Sequence, residues 1–208
     1  MILLRELLSE FSAEGFDLKA FLAMKSFAEK VRYANSKLEK LGTGSARIIY
    51  KIDEKTVLKL AKNAKGIAQN EVESDRLLNE WYGDIIAKVL EADDDDRWIV
   101  SEYAKKITPT KFKHRIGVSA DELYKKLHMD TQPRTLHFEI PPEVTEILDN
   151  SEFYNQLTDM IGNFDMAIGD FSRVGSYGEI EGRLVIRDYG LTQSVFKQHY
   201  DKSRLNNA

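Results

Sequence analysis

A lysine in the middle of an apolar strand, directly after a glycine-containing turn, is the feature that most constrains how this chain folds. Residues 41–52 are LGTGSARIIYKI and residues 56–61 are TVLKLA, with a short polar turn between them. Runs of β-branched and apolar residues on either side of a turn predict a hairpin over residues 41–61, with the glycines at its mouth. Lys59 stands mid-strand, so it needs either an outward face or a buried partner.

The next segment offers Lys59 such a partner. A helix is predicted over residues 66–82, because one face repeats at steps of four and three residues. That face consists of Ile67, Glu71, Ser74, Leu78 and Trp81. An exposed strand lysine and an unrelated helix acid are the alternative. The order of glycine hairpin, lysine and helix acid favours a buried Lys59–Glu71 pair that holds phosphates.

Two aspartates in the last third of the chain add a second group. Asp188 follows the apolar strand RLVIR and precedes Tyr189-Gly190, where it is well placed to hold a metal ion. Asp170 lies upstream, in a loop after an amphipathic helix predicted over residues 151–168. One aspartate on a metal and another near the attacking hydroxyl is the arrangement that phosphoryl transfer needs. Each aspartate alone also suits a turn or a helix cap, so only the constellation indicates chemistry.

Composition excludes several other classes of protein. The 208 residues carry a formal net charge of −4, which gives no electrostatic footprint for nucleic acid or an anionic membrane. The chain has no cysteine, which excludes disulfide scaffolds, thiol catalysis and cysteine-bound zinc. Charges interrupt the apolar residues of the first segment, so neither a signal peptide nor a membrane span is expected. These features predict a cytoplasmic protein.

The order of these segments resembles the protein-kinase-like superfamily, and most of all the small kinase-like proteins of tailed bacteriophages. The matching segments are LGTGSARIIYKI, VLKLA, QNEVE, WIVSEYA and a GD–loop–DYG series. The resemblance implies an α+β, two-lobed protein-kinase-like fold. Its expected parts are an N-terminal helical extension at 1–40, an N-lobe at 41–104 and a reduced, truncated C-lobe at 105–208.

The resemblance implies roles for the residues of the first lobe. Gly42 and Gly44 would cover the phosphates of ATP, and Lys59 would contact the α- and β-phosphates. Glu71 would orient that lysine. The chain departs from the family pattern at the third glycine, where it carries Arg47.

Further roles implied by the resemblance concern adenine and the cofactors. Ser101 would be the gatekeeper, and the backbone of Glu102 and Ala104 would meet adenine. ATP and Mg²⁺ are the expected cofactors. The expected partners are a nucleotide and a protein partner or substrate, without nucleic acid or membrane.

The resemblance also assigns the catalytic end of the second lobe. Asp170 would be the catalytic base, Asp188 would hold Mg²⁺, and Ser176 would stand where the second metal ligand is normally an asparagine. Ile168-Gly169 replaces the usual His-Arg before the base, which disfavours control by a phosphorylated activation loop. A serine hydroxyl is a poorer Mg²⁺ ligand than an amide oxygen, although it remains a hard oxygen donor.

Three functions are consistent with these residues. The first is an ATP/Mg-binding, phage-encoded, kinase-like phosphotransferase of the host cytoplasm, which transfers the γ-phosphate to an unidentified acceptor. The second is a weak or inactive pseudokinase that serves as a binding or scaffold protein, favoured by Ser176, the missing His-Arg and the truncated C-lobe. The third is a small-molecule kinase of the antibiotic-phosphorylating type, which the basic, loop-rich segment 105–150 supports little.

Overall fold

The apolar segments between residues 39 and 102 form an antiparallel sheet in the computed structural model, which describes residues 15–132 and 137–201. The sheet has five strands in the order β1-β2-β3-β5-β4. Their bounds are β1 Glu39–Thr43, β2 Arg47–Lys51, β3 Thr56–Ala61, β4 Val89–Ala92 and β5 Trp98–Glu102. Strand β3 is the central strand and is buried along its whole length. The predicted hairpin is present as β2 and β3, and the first glycine lies in the additional strand β1.

Two N-terminal helices pack on one face of this sheet. They are α1 (Leu18–Ala23), which Asp17 caps, and α2 (Phe27–Lys37), which a Ser26–Glu29 capping box begins. Alternate residues of the strands point to this face, because successive strand side chains alternate sides. The shared core consists of Phe16, Leu18, Phe21, Ala34, Leu38, Ile48, Tyr50, Ile52, Leu58, Leu60, Trp98 and Val100.

Helix α3 (Ala64–Ser74) contacts strands β3, β4 and β5. A Cβ on Gly66 would lie 2.3 Å from the Ala46 carbonyl oxygen, so glycine permits the close approach of helix to strand. The helix predicted over residues 66–82 is divided in the structure. Asp75 accepts a hydrogen bond from the Leu78 amide and begins a new helix, α4 (Arg76–Trp81).

A second set of elements is mostly helical and carries a short hairpin. Strand β6 (Lys105–Lys106) pairs with β7 (Tyr177–Ile180), which pairs with β8 (Arg183–Ile186). Glu181 and Gly182 connect β7 to β8 with φ angles of 49° and 85°, the signature of a two-residue hairpin turn. The helices are α5 Pro109–Ile116, α6 Ala120–Thr131, α7 Pro142–Asp149, α8 Glu152–Phe164 and α9 Gln193–His199.

The described residues group into two compact units. The first contains the residues up to Ser74 together with Lys88–Tyr103, and the second contains Asp75–Ala87 and the residues from Ala104 onward. Asp75–Ala87 belongs to the second unit because Ile86 bridges to Ile186 and the Tyr82 hydroxyl donates to Asp159. The expected division into an extension at 1–40 and lobes at 41–104 and 105–208 stays a prediction.

The α+β class is confirmed, with an antiparallel five-stranded sheet in one unit and a mostly helical second unit. The kinase-like assignment of the two units stays a prediction. Of the helices in the described part of the chain, none is long and apolar enough to cross a bilayer.

Candidate functional site

Lys59 forms a buried ion pair with Glu73 of helix α3. The Lys59 Nζ and Glu73 Oε2 atoms are 2.5 Å apart, and the two residues are 3% and 0% exposed. Burial alone would raise the pKa of the Glu73 carboxyl. The charges of Arg47 and Lys59 and their hydrogen bonds lower this pKa by more than burial raises it. The net result is a pKa below the ordinary value for glutamate, so Glu73 is ionised at neutral pH.

The prediction that Glu71 pairs with Lys59 is wrong. Glu71 is exposed, because a residue two positions from Glu73 lies about 200° around the helix axis. The buried face of α3 contains Gly66, Asn70 and Glu73, at steps of four and three. The steps of four and three are as predicted, but the buried face includes Gly66, one residue before the predicted Ile67. The contact with Lys59 that was expected of Glu71 is made by Glu73.

Arg47 joins the same cluster from strand β2. Its Nη2 atom lies 2.8 Å from Glu73 Oε1, and its Nη1 donates to Asn70 Oδ1 at 3.3 Å. Arg47 pairs with Ala61 across the strands, and Ile49 pairs with Lys59, so Arg47 and Lys59 point to the same face of the sheet. The arginine that stands where a third glycine was expected thus belongs to the buried charge cluster.

The glycine-containing turn lies between β1 and β2. A Cβ at Gly42 would meet nothing within 4 Å, and one at Gly44 would be 3.9 Å from the nearest atom. The Gly44 amide donates to the Arg47 carbonyl at 2.9 Å. Side chains that follow β3 hold two turn carbonyls: Lys62 donates to the Gly44 oxygen and Asn63 to the Ser45 oxygen. The turn is therefore anchored through its carbonyls, although packing does not require glycine at either position.

Residues 101–104 occupy the end of β5 and the segment after it. Ser101 is fully buried, and its Oγ makes no hydrogen bond within the described residues. The Glu102 amide donates to the Lys88 carbonyl, so the sheet uses that N–H group. Glu102 belongs to the first unit and Ala104, which is buried, to the second. Their role toward adenine stays a prediction.

The chain segments that carry Asp170, Ser176 and Asp188 meet at one end of the β7–β8 hairpin. Asp170 lies in a 3-10 helix (Ile168–Ser172), and Ser176 ends a second one (Val174–Ser176). The Ser176 Oγ donates to the Asp170 carbonyl at 2.6 Å. The Arg187 amide donates to the Ser176 carbonyl at 2.8 Å, which brings the neighbouring Asp188 to the same end of the hairpin.

Two buried tyrosines fix these segments. The Tyr177 hydroxyl donates to the Phe171 carbonyl at 2.8 Å, and the Tyr189 hydroxyl donates to the Ala87 carbonyl at the same distance. Complete burial raises the pKa of Tyr177, so its hydroxyl remains a donor at neutral pH. Tyr177, which follows Ser176, thus holds the segment that carries Asp170. Tyr189, which follows Asp188, holds the Asp188 segment to Ala87.

The oxygen donors at this hairpin end suit Mg²⁺. Asp188 offers an exposed carboxylate and Ser176 a hydroxyl oxygen, and Mg²⁺ prefers such hard ligands. The Ser176 hydroxyl uses its hydrogen toward Asp170, which leaves its oxygen lone pairs for a cation. Within residues 15–132 and 137–201, no group of three or more histidine and acidic side chains lies close enough to hold a metal ion.

Sequence reasoning missed Glu73, Arg47 and Asn70 as members of the cluster. The signal that would have found Glu73 is Gly66, because a small residue in a helix marks the face that approaches a neighbouring element most closely. Counting four and then three residues from Gly66 leads to Asn70 and Glu73. No local pattern indicates that Arg47 is buried, because its partners lie more than twenty residues away along the chain.

Comparison with known proteins adds distant structural neighbours. No protein-family model and no curated protein matches the chain. Solved structures that are similar include an ADP-bound aminoglycoside phosphotransferase, APH(2'')-Ib, at 13% identity over 80% of this chain and 71% of the other, with a TM-score of 0.40. A choline/ethanolamine kinase family protein from Mesorhizobium loti is 17% identical over 78% and 67% of the two chains, with a TM-score of 0.38. Choline kinase LicA from Streptococcus pneumoniae is 20% identical over 78% and 68%, with a TM-score of 0.34. These identities and TM-scores do not establish an activity for the chain.

Proposed function

We propose that this protein binds ATP and acts as a kinase-like phosphotransferase. The observation that carries the proposal is the buried Lys59–Glu73 pair on the sheet face next to the glycine-containing turn. A lysine ammonium held in place by a carboxylate is suited to contact the α- and β-phosphates of a nucleotide. The resemblance gives this role to Lys59, with Glu73 here in place of the expected Glu71 as the partner of the lysine.

The energetics of burial favour a functional explanation for the cluster. Removing charges from water costs several kcal/mol for each ion, and a well-packed apolar replacement is often as stable as a buried ion pair. Three charged residues, Arg47, Lys59 and Glu73, are nonetheless buried together beside strands rich in valine, leucine and isoleucine. Perturbed ionisable groups of this kind concentrate at functional sites.

The glycine-containing turn supports the same function. Neither Gly42 nor Gly44 is required by a positive φ angle or by close packing. The absent side chains leave space for a phosphate to approach the backbone N–H groups of the turn other than that of Gly44, which donates to the Arg47 carbonyl. Lys62 and Asn63 bind the turn carbonyls, which favours the presentation of N–H groups rather than carbonyl oxygens to an anion.

The second unit would supply the proton acceptor. The hydroxyl oxygen of the acceptor would form a bond to the γ-phosphorus of ATP, and Asp170 would accept the proton of that hydroxyl. The bond from that phosphorus to the β–γ bridging oxygen breaks in the same displacement, and ADP leaves. Ser176 would hold the Asp170 segment through the hydrogen bond to the Asp170 carbonyl. Asp188 and Ser176 would hold Mg²⁺, which neutralises charge on the phosphate oxygens when it is bound.

A thermal-shift titration with ATP, with and without Mg²⁺, tests this proposal. Ligand at a hundredfold over Kd stabilises a protein by about 2.7 kcal/mol. A rise in Tm of roughly 5–11 °C is therefore expected for a chain of this size. The rise should depend on Mg²⁺ and should be lost in Lys59→Ala. No shift at millimolar ATP would contradict the proposal.

A nucleotide-binding protein without transfer activity is the second candidate. The hydrogen bond from the Ser176 hydroxyl to the Asp170 carbonyl favours it, because that contact gives the serine a structural role besides any role as a metal ligand. A Tm rise with ATP that is independent of Mg²⁺, together with no ADP release, would support this candidate. ADP release that is lost in Asp170→Ala would support the enzyme instead.

The finer implications of the resemblance stay predictions. They are a bacteriophage origin, a location in the host cytoplasm and a protein partner or substrate. The acceptor of the phosphoryl group is to be identified by a screen once Mg²⁺-dependent ATP binding is established.

A further inference from the structure

Arg47 is bound on both arms of its guanidinium to one face of helix α3. One arm contacts Glu73 and the other contacts Asn70, which is fully buried and lies almost one turn earlier on the helix. Glu73 in turn uses a different carboxylate oxygen for each cation, Oε1 toward Arg47 and Oε2 toward Lys59. Arg47 and Lys59 therefore contact the same carboxylate without competing for one oxygen.

This arrangement fixes the orientation of the carboxylate. The terminal torsion of a glutamate side chain has a broad energy profile, so a single contact at one oxygen leaves the carboxylate plane free to turn. A planar arginine on the second oxygen restricts that rotation, since its donors have a fixed fork geometry. Lysine is a flexible point charge and cannot impose an orientation by itself. The direction in which Glu73 presents Oε2 to Lys59 is therefore set from the Arg47 side.

The network continues beyond Asn70 to the β4–β5 turn. The Asn70 Nδ2 donates to the Asp96 carbonyl at 2.8 Å, and the Ser74 Oγ donates to the Asp96 carboxylate at 2.9 Å. Asp96 has a positive φ of 54°, which turns the chain toward the helix at this point. Asn70 thus links the Arg47 guanidinium to the β4–β5 turn, so α3 is bound both to strand β2 and to this turn.

We infer that Arg47 is a positioning residue for the proposed nucleotide site, because it fixes the Glu73 carboxylate that in turn fixes Lys59. The inference rests on the proposed function for its consequence, which is weaker ATP binding when Arg47 is changed. Its structural part, the immobilisation of Lys59, does not require a nucleotide. The Arg47 side chain thus restricts, through Glu73, the position of the lysine that is proposed to contact phosphates.

Chemical labelling of Lys59 in the absence of nucleotide tests the structural part directly. The full-length protein is treated with limiting acetic anhydride, and acetylation of Lys59 is followed by mass spectrometry in the wild type, Arg47→Met and Arg47→Lys. Arg47→Met should increase the Lys59 labelling rate about tenfold, in line with coupling energies between residues in contact. Arg47→Lys should give an intermediate rate, since it keeps the charge but loses the fork to Asn70. ATP affinity, measured on the same proteins, should fall in the same order.

A destabilised control separates positioning from general loosening of the sheet. Val100 is fully buried in the core on the opposite face of the sheet, so Val100→Ala lowers stability without touching the cluster. Lys59 in this variant should be labelled at the wild-type rate. If Val100→Ala accelerates labelling as much as Arg47→Met, or if folded Arg47→Met is labelled at the wild-type rate, the inference is wrong.

The two proposals fail in different ways. Absence of ATP binding by the wild type would refute the proposed function, and the labelling rates alone would then decide the role of Arg47. If Arg47→Met does not fold, Arg47→Lys decides instead: labelling about threefold faster than wild type supports the inference, and an unchanged rate refutes it.

Discussion

Replacing Glu73 with glutamine should destabilise the first unit strongly, although the two side chains have nearly the same shape. The change leaves Arg47 and Lys59 buried without the carboxylate that they share. Breaking a buried ion pair by removal of one partner costs about 3–5 kcal/mol. For a chain of this size each kcal/mol lowers Tm by roughly 2–4 °C, so a loss of about 6–20 °C is expected.

Tryptophan fluorescence provides the assay. The chain has two tryptophans, and Trp81 is 58% exposed in the second unit whereas Trp98 is 3% exposed in the core of the first. In a Trp81→Phe background, Trp98 alone reports the unfolding of the sheet and its helices. Thermal and urea unfolding of Glu73→Gln are then compared with those of the parent protein.

Glu71→Gln is the matched control, because it makes the same chemical change two residues away on the same helix. Glu71 is exposed, so its variant should melt within about 2 °C of the parent. Equal Tm values for Glu73→Gln and the parent would refute the buried charge cluster. A large loss in Glu71→Gln instead would restore the pairing expected from the sequence.

Further predictions concern pH, packing and the second unit. Because the pKa of Glu73 is lowered in the folded protein, its stabilisation is present above the ordinary glutamate pKa and is lost as pH falls through the folded value. The Tm difference between the parent and Glu73→Gln should therefore be full at pH 7 and shrink as the solution is made more acidic than pH ~4, as measured by melts across that range. Gly66→Ala should destabilise by about 1–3 kcal/mol, because its Cβ would lie 2.3 Å from a backbone carbonyl. Gly162→Ala, with no atom within 4 Å of its Cβ, should instead raise stability by up to about 1 kcal/mol, and urea titrations would reveal any reversal of this order. Ser176→Ala should lower phosphoryl transfer about tenfold or more and weaken Mg²⁺-dependent ATP binding, since it frees the Asp170 segment and removes one proposed Mg²⁺ donor. Unchanged turnover would show that this hydrogen bond is not needed.

Local sequence patterns were sufficient to predict the elements that depend on residues close together in the chain. The lysine-bearing strand β3 follows from its run of apolar residues, and the second hairpin follows from the Glu181-Gly182 turn, whose positive φ angles suit glycine. That hairpin also brings Ser176 and the residue before Asp188 to the same end, while their roles toward a metal stay predictions.

The partner of Lys59 depends on tertiary packing, and here the sequence pattern was insufficient. Helical periodicity tells which residues share a face, but one residue must first be known to be buried. The apolar residue Ile67 did not identify the buried face of α3. Gly66 sets the buried face of α3, because its missing side chain allows contact with the strand. The helix also ends earlier than its periodicity suggests, since the Asp75 side chain caps the next helix.

An acyl-phosphate derivative of ATP tests the central claim, that Lys59 contacts nucleotide phosphates, most directly. Such a probe transfers its acyl group to a lysine amine beside the bound phosphates, and mass spectrometry identifies the lysine that is modified. Acylation of Lys59, suppressed by excess ATP and by Glu73→Gln, is the result expected from the geometry. Acylation of other lysines only, or labelling of Lys59 that excess ATP does not suppress, would contradict the proposed nucleotide site.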